Sequence, residues 1–166
     1  PTIPFRDMEI HEGMGDLVVA TFGRGFYVLD DYTPLRHATP DFLSREAALL
    51  PIRRAYSFEP IRYYSAGSGA GNYTSDNQPF GAILNYFLNE PVGGEETSIT
   101  LVVRDGEGEV VAEIPGTNEA GFQRAVWNLR ALPPPPPQDA PQQTRRRQGP
   151  LVEAGDFSVY LEARRG

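Results

Sequence analysis

The sequence contains no cysteine and no lysine. Without thiols there are no disulfides and no thiolate metal sites, and the absence does not place the protein on either side of a membrane. All fifteen basic residues are arginine, a pattern we read as genomic bias rather than a demand for guanidinium chemistry. Histidine is limited to His11 and His37, with no HExxH or HxH spacing, so a histidine metal centre has no local basis. No apolar run approaches the roughly 18 residues of a membrane span, and no signal peptide opens the chain. A net charge of -7 argues against nucleic acid or an anionic membrane as partner, since both require concentrated positive charge. The first residue is Pro1 rather than methionine, which points to a fragment or a processed product, so the missing leader says nothing about export.

What is present is short, alternating and punctuated by glycine. At 166 residues the chain can build one ordinary core. Its most legible stretch is Ser98 to Ile114, where Ile99, Leu101 and Val103 alternate with Thr100, Val102 and Arg104, and Val110, Ala112 and Ile114 continue the pattern after a turn. Asp105-Gly106-Glu107-Gly108 supplies the small residues of a tight connection, so the stretch reads as a β-hairpin with one apolar face. A lone hairpin is not stable, and a second layer must cover that face.

Taken in order, Asp7 to His11, Asp16 to Phe22 and Phe26 to Asp30 read as three strands separated by glycine turns. The second is apolar on both faces, the mark of a strand covered on both sides. Thr39-Pro40-Asp41 opens a helix expected to run to about Leu49 and to stop before Pro51. Leu50 to Tyr64 reads as extended chain, and Ser65 to Asn77 as a polar linker. Phe80 to Asn89, apolar on both faces, Gly121 to Arg130 and Asp156 to Ala163 supply further strands. Leu132 to Pro150, rich in proline and arginine, is a loop with polyproline character. The organisation expected is all-β: residues 1–36 as a strand unit, 37–77 as one short helix and a linker, and 78–166 as a β-sandwich with a disordered loop at about 132–150.

Candidate chemistry is sparse. Asp105 to Glu109 has the composition of part of a calcium loop without its spacing or terminal glutamate, and a hairpin turn accounts for it. Gly67 to Asn72 aligns only loosely with a phosphate loop and reads as linker. Asn72-Tyr73-Thr74 is a formal glycosylation acceptor, and the proline run a formal SH3 or WW ligand better explained as a loop insertion. Asp7, Glu9, Asp30 and Asp31 could form a carboxylate pair of the glycosidase kind, with solvated strand ends as the plainer account. Tyr63, Tyr64, Tyr73, Tyr86 and Trp127 supply rings for a sugar platform, though Trp127 is more simply a core anchor.

One segment resembles a known family. Asp16 to Arg36, DLVVATFGRGFYVLDDYTPLR, is similar to the final blade of large β-propeller proteins with BNR or sortilin-like repeats, often called glycosyl hydrolase-like. Their last repeat reads T-H-G-R-G-I-W/Y-V-L-D-D before a Pro-Leu-Arg exit. Thr21, Gly23, Arg24, Gly25, Tyr27, Val28, Leu29, Asp30 and Asp31 match that pattern, while Phe22 stands at the histidine. Gly81 to Leu88, Val126 to Arg130, Gly149 to Val152 and Gly155 to Leu161 resemble strands of the FlgD-type immunoglobulin-like domain that follows such propellers.

The resemblance implies an exported bacterial protein, secreted or periplasmic, with any active face in blades absent from this chain. The Asp-box pattern S-x-D-x-G-x-T-W is not found, and no catalytic residue is carried over. The function expected is a non-catalytic C-terminal accessory module that caps or packs against its own upstream propeller. The alternatives are a carbohydrate-binding module contacting glycans through Tyr63, Tyr64, Tyr73 and Trp127, or part of a glycoside hydrolase acting through Asp30 or Asp31. No cofactor, metal, nucleic acid or membrane span is expected. The first strands have open edges, so the chain is expected either to form a homodimer through them or to bury them against its own sandwich.

Overall fold

The computed structural model describes residues 3–58, 78–93, 97–134 and 148–165. In chain order these form β1 (Phe5–His11), β2 (Asp16–Thr21), β3 (Phe26–Leu29), a 3₁₀ turn at Thr33–His37 and helix α1 (Pro40–Leu43). There follow β4 (Ala47–Leu49), β5 (Ala82–Leu88), β6 (Thr97–Arg104), β7 (Val110–Pro115), β8 (Gly121–Trp127) and β9 (Ser158–Arg165). The strands pair antiparallel in three sheets of three, ordered β1-β2-β3, β4-β5-β8 and β7-β6-β9. The all-β class expected from the alternation is what the chain adopts.

The second and third sheets share one core, and its membership follows the period of two that a pleated strand imposes. Ala82, Leu84, Tyr86 and Leu88 of β5 face Ile99, Leu101 and Val103 of β6, with Ala112, Ala125, Trp127 and Leu129 completing the cluster. Phe157, Val159 and Leu161 pack on its edge, as their alternation in the last strand predicts. Tyr86 is fully buried, and its hydroxyl is satisfied by the turn after β7: it accepts the Thr117 N–H at 2.6 Å and meets the Thr117 carbonyl at 2.9 Å.

The hairpin turn is built on Asp105, whose Oδ1 accepts the N–H groups of Glu107 at 3.0 Å and Glu109 at 2.9 Å. Gly108 takes φ +87°, a conformation that glycine adopts without a Cβ penalty. The outer face of β7-β6-β9 is mixed, with Val102 buried between Glu113 and Tyr160 and charged side chains beside them. Arg164 meets Glu113 at 2.9 Å and Glu162 at 3.1 Å, hydrogen bonds that raise its pKa above the ordinary arginine value. The outer face of β5 is different, because Ile83, Asn85 and Phe87 are as buried as the inner row. Something covers β5 from outside, and that cover positions the candidate site.

Two expectations are corrected. The helix stops at Leu43 rather than near Leu49. Its start is as expected, with Thr39 Oγ1 accepting the Phe42 N–H at 3.3 Å. After one turn the Ser44 N–H donates to Pro40 O at 3.0 Å and its hydroxyl to Asp41 O at 2.9 Å. Ala47, Ala48 and Leu49 then pair with Leu88, Phe87 and Tyr86, so part of the segment expected as helix and linker is a strand of the sandwich. So short a helix has little cooperativity of its own, whereas the edge of β5 offers unpaired backbone groups; tertiary pairing overrides local propensity.

The proline-rich insertion leaves and returns at adjacent points, with the Ala131 N–H donating to Pro150 O at 2.9 Å and Arg130 bridging Leu151. A Cβ at Gly149 would lie 1.9 Å from the Ala131 carbonyl oxygen, so that close passage requires glycine. Residues 135–147 of the expected disordered loop, and the Ser65 to Asn77 linker, lie outside the described residues.

Leu101→Ala should lower the unfolding free energy by about 3 kcal/mol, the transfer and cavity cost of a fully buried leucine. Tyr160→Ala, on the half-exposed outer face of the same sheet, should cost under about 1 kcal/mol. Denaturant unfolding of both variants checks the assignment of inner and outer rows; similar losses would contradict it.

Candidate functional site

The cover over β5 comes from the ends of the first sheet and from α1, and its centre is Asn85. A polar side chain in a strand buried on both faces must be hydrogen-bonded. Arg124, paired with Asn85 in register across β5 and β8, donates from Nε to Asn85 Oδ1 at 3.1 Å. The same guanidinium donates from Nη2 to the Asp30 carbonyl at 3.1 Å, where β3 ends. Arg53, four residues beyond β4, donates to the Met14 carbonyl and sits 3.8 Å from Asp16 Oδ1. Beside them Phe42 of α1 packs on Phe87 and Phe122, with centroids 5.6 and 6.4 Å apart. Two arginines thus hold the ends of the first sheet to the sandwich, and an aromatic cluster holds α1 to it.

The sheet's own end is tied off at the same place. Asp31 takes φ +52° and is 3% exposed. Its N–H donates to Asp16 Oδ1 at 2.9 Å, and its Oδ1 accepts the Thr33 hydroxyl at 2.5 Å. The Tyr32 N–H donates to the Gly15 carbonyl at 2.8 Å. Gly15 takes φ +65°, and a Cβ there would lie 2.9 Å from Thr33 Cγ2. The start of β2 and the exit of β3 are therefore locked by backbone and carboxylate together.

This arrangement gives the residues of the Thr21 to Asp31 segment structural work. Gly23 and Gly25 take φ +78° and +75° in the exposed β2–β3 turn, around the exposed Arg24. The Gly25 carbonyl accepts the Thr21 N–H and hydroxyl at 3.1 and 2.8 Å. Asp30 lends its carbonyl to Arg124, and burial closes the Asp31 carboxylate to a substrate. Of the rings named for a sugar platform, the structure describes two. Trp127 is 3% exposed, donates from Nε1 to Arg130 O at 2.9 Å and meets Phe157 edge-on at 5.1 Å. It borders a cleft of about 790 Å³ with Arg54, Tyr56 and Asp156. Tyr86 is buried too, and Tyr63, Tyr64 and Tyr73 lie outside the described residues. Among the described residues no group of three His, Asp or Glu side chains is placed to hold a metal ion.

Beyond the joint, β1-β2-β3 is open. The strands are not buried against their own sandwich: every residue of β1 and β3 is exposed. The register separates two faces. Met8, Val19 and Tyr27 align across the sheet, as do Ile10, Leu17 and Leu29, and none of these six is charged. On the other, Asp7, Ala20 and Phe26 align, then Glu9, Val18 and Val28, so an acidic row flanks an apolar strip. Phe26 is 74% exposed and Met8 63%. Exposed apolar surface of this extent on both sides of one sheet marks an interaction surface.

Sequence reasoning missed Asn85, Arg124 and Arg53. The signal for Asn85 was available, a single amide inside FGAILNYFLN; its partners could be identified only from the pairing. Arg124→Met removes the donor to a buried amide and the hold on Asp30, and should cost about 1–3 kcal/mol. It should also speed protease cleavage within residues 12–25, followed by mass spectrometry. Cleavage at the wild-type rate would show that the joint does not depend on Arg124.

No family model matches this chain, and no curated protein or solved structure matches it. The functional reading accordingly rests on the joint, the open sheet and the residues of the Thr21 to Asp31 motif.

Proposed function

We propose that the chain is a non-catalytic C-terminal accessory module of an exported bacterial β-propeller protein. In this reading an immunoglobulin-like, FlgD-type sandwich carries the last strands of the propeller and packs against the blades that precede them. The observation that carries it is the sheet β1-β2-β3, tied at one end to the sandwich, with an apolar patch on each face, one of them beside an acidic row. A sheet with that pattern is built to be covered on both sides. The match of Gly23, Arg24, Gly25, Asp30 and Asp31 to the final-blade pattern supports the same reading, since these residues form the turn and the exit of such a hairpin.

The two faces set different terms for their covers. The uncharged face requires only an apolar surface. Over the other, a covering layer also desolvates Asp7 and Glu9, which is costly for carboxylates left unpaired. The surface on that side therefore carries basic side chains opposite β1. Covalent continuity with the blades supplies a high effective concentration, so faces of modest size suffice.

The test is hydrogen exchange of the β1–β3 amides in the chain alone and in continuity with its upstream propeller. Protection should rise at least about 100-fold in the longer polypeptide, and Glu9→Lys should reduce that gain. Equal protection in the two contexts would contradict the reading. A reproducible thermal shift of the chain alone with one member of a soluble glycan panel would favour the carbohydrate-binding alternative instead.

A further inference from the structure

The face formed by Met8, Ile10, Leu17, Val19, Tyr27 and Leu29 has a property that its reverse lacks: it contains no charge. We infer that a second copy of this chain fits it, the two copies packing face to face about a twofold axis. The inference does not rest on the propeller reading; it concerns what this chain does when no other polypeptide lies on that face.

A twofold interface sets one patch against itself, so every charge near the axis meets its own kind. The six residues of this face meet this condition on all three strands; Arg6, at the bulge between Phe5 and Asp7, holds its guanidinium over the Phe22 ring. The reverse face does not, because Asp7 and Glu9 of one copy would be buried near those of the other. The strand edges are weaker still. Antiparallel self-pairing of β1 about Met8 sets Asp7 of each copy opposite Glu9 of the other, a like-charge pairing that destabilises a ladder. The edge of β3 is uncharged but only four residues long. Charge thus moves the homodimer from the open edges, where the sequence places it, to one face.

Two sheets packed this way lie roughly 10 Å apart and interdigitate their side chains. Three strands of six or so residues give a footprint of roughly 14 by 20 Å, at the low end for a specific interface. The association is therefore a concentration-dependent equilibrium rather than a permanent dimer. Each copy also carries a net charge of -7, so repulsion between copies opposes it and added salt strengthens it.

Sedimentation equilibrium of the chain from about 1 μM to about 500 μM tests this. The expected result is a weight-average mass that climbs from one protomer towards two, and climbs earlier when salt is raised. Met8→Glu and Tyr27→Arg, both at exposed positions, should hold the mass at one protomer with an unchanged melting curve. Val28→Glu, on the reverse face, should leave the rise intact. A protomer mass at every concentration, a rise that persists in Met8→Glu and Tyr27→Arg, or its loss in Val28→Glu would overturn the inference. None of these outcomes bears on the exchange protection that tests the propeller reading.

Discussion

The hydrogen bonds of Arg124 are the constraint on which the rest of this structure depends. β5 is the middle strand of its sheet and is buried on both faces, and on its outer face the one polar side chain is Asn85. An unpaired amide there would cost on the order of 1–3 kcal/mol. Arg124 removes that cost and in the same geometry reaches the Asp30 carbonyl. One guanidinium therefore satisfies the sandwich and fixes the end of the first sheet. A lysine, with a single point of charge, could not span both acceptors in that way.

From this joint the division of the molecule follows. The sandwich supplies the stability, through a core that joins both of its sheets around Leu84, Tyr86, Leu101, Val103 and Trp127. The first sheet contributes little burial of its own, Val19 being its one buried side chain among the described residues of β1, β2 and β3. It persists as a sheet because its hairpin end is locked by Asp16, Asp31, Thr33 and Gly15 and anchored by Arg53 and Arg124. A sheet held at one end, with an apolar patch open on each face, is the form expected of an element that docks.

Much of this was legible in the sequence wherever a period of two met a glycine turn. The hairpin about Asp105 to Gly108, the apolar β5, the inward row of β9 and the three opening strands all follow from alternation and turn chemistry. The exit of α1 was not legible, because a one-turn helix and a three-residue edge strand differ by tertiary pairing that local propensity does not contain. Trp127 shows the reverse case, in which the plain account of a lone tryptophan as core anchor is the one that holds. The double aspartate of the motif suggested chemistry by residue type alone. Burial and hydrogen bonding turn Asp31 into a structural cap, and distances to Asp16 and Thr33 are the kind of fact a linear sequence does not carry.

The central claim is that the open sheet is held rigidly to the sandwich by the Arg124 and Arg53 contacts rather than trailing from it. Residual dipolar couplings of backbone amides in a weakly aligned sample of the chain test this most directly, since they report whether two parts of a molecule share one orientation. The account predicts that couplings from β1, β2 and β3 fit the same alignment tensor as those from β5, β6 and β8. A separate or strongly reduced tensor for the first sheet would show that it moves independently, and would contradict the account.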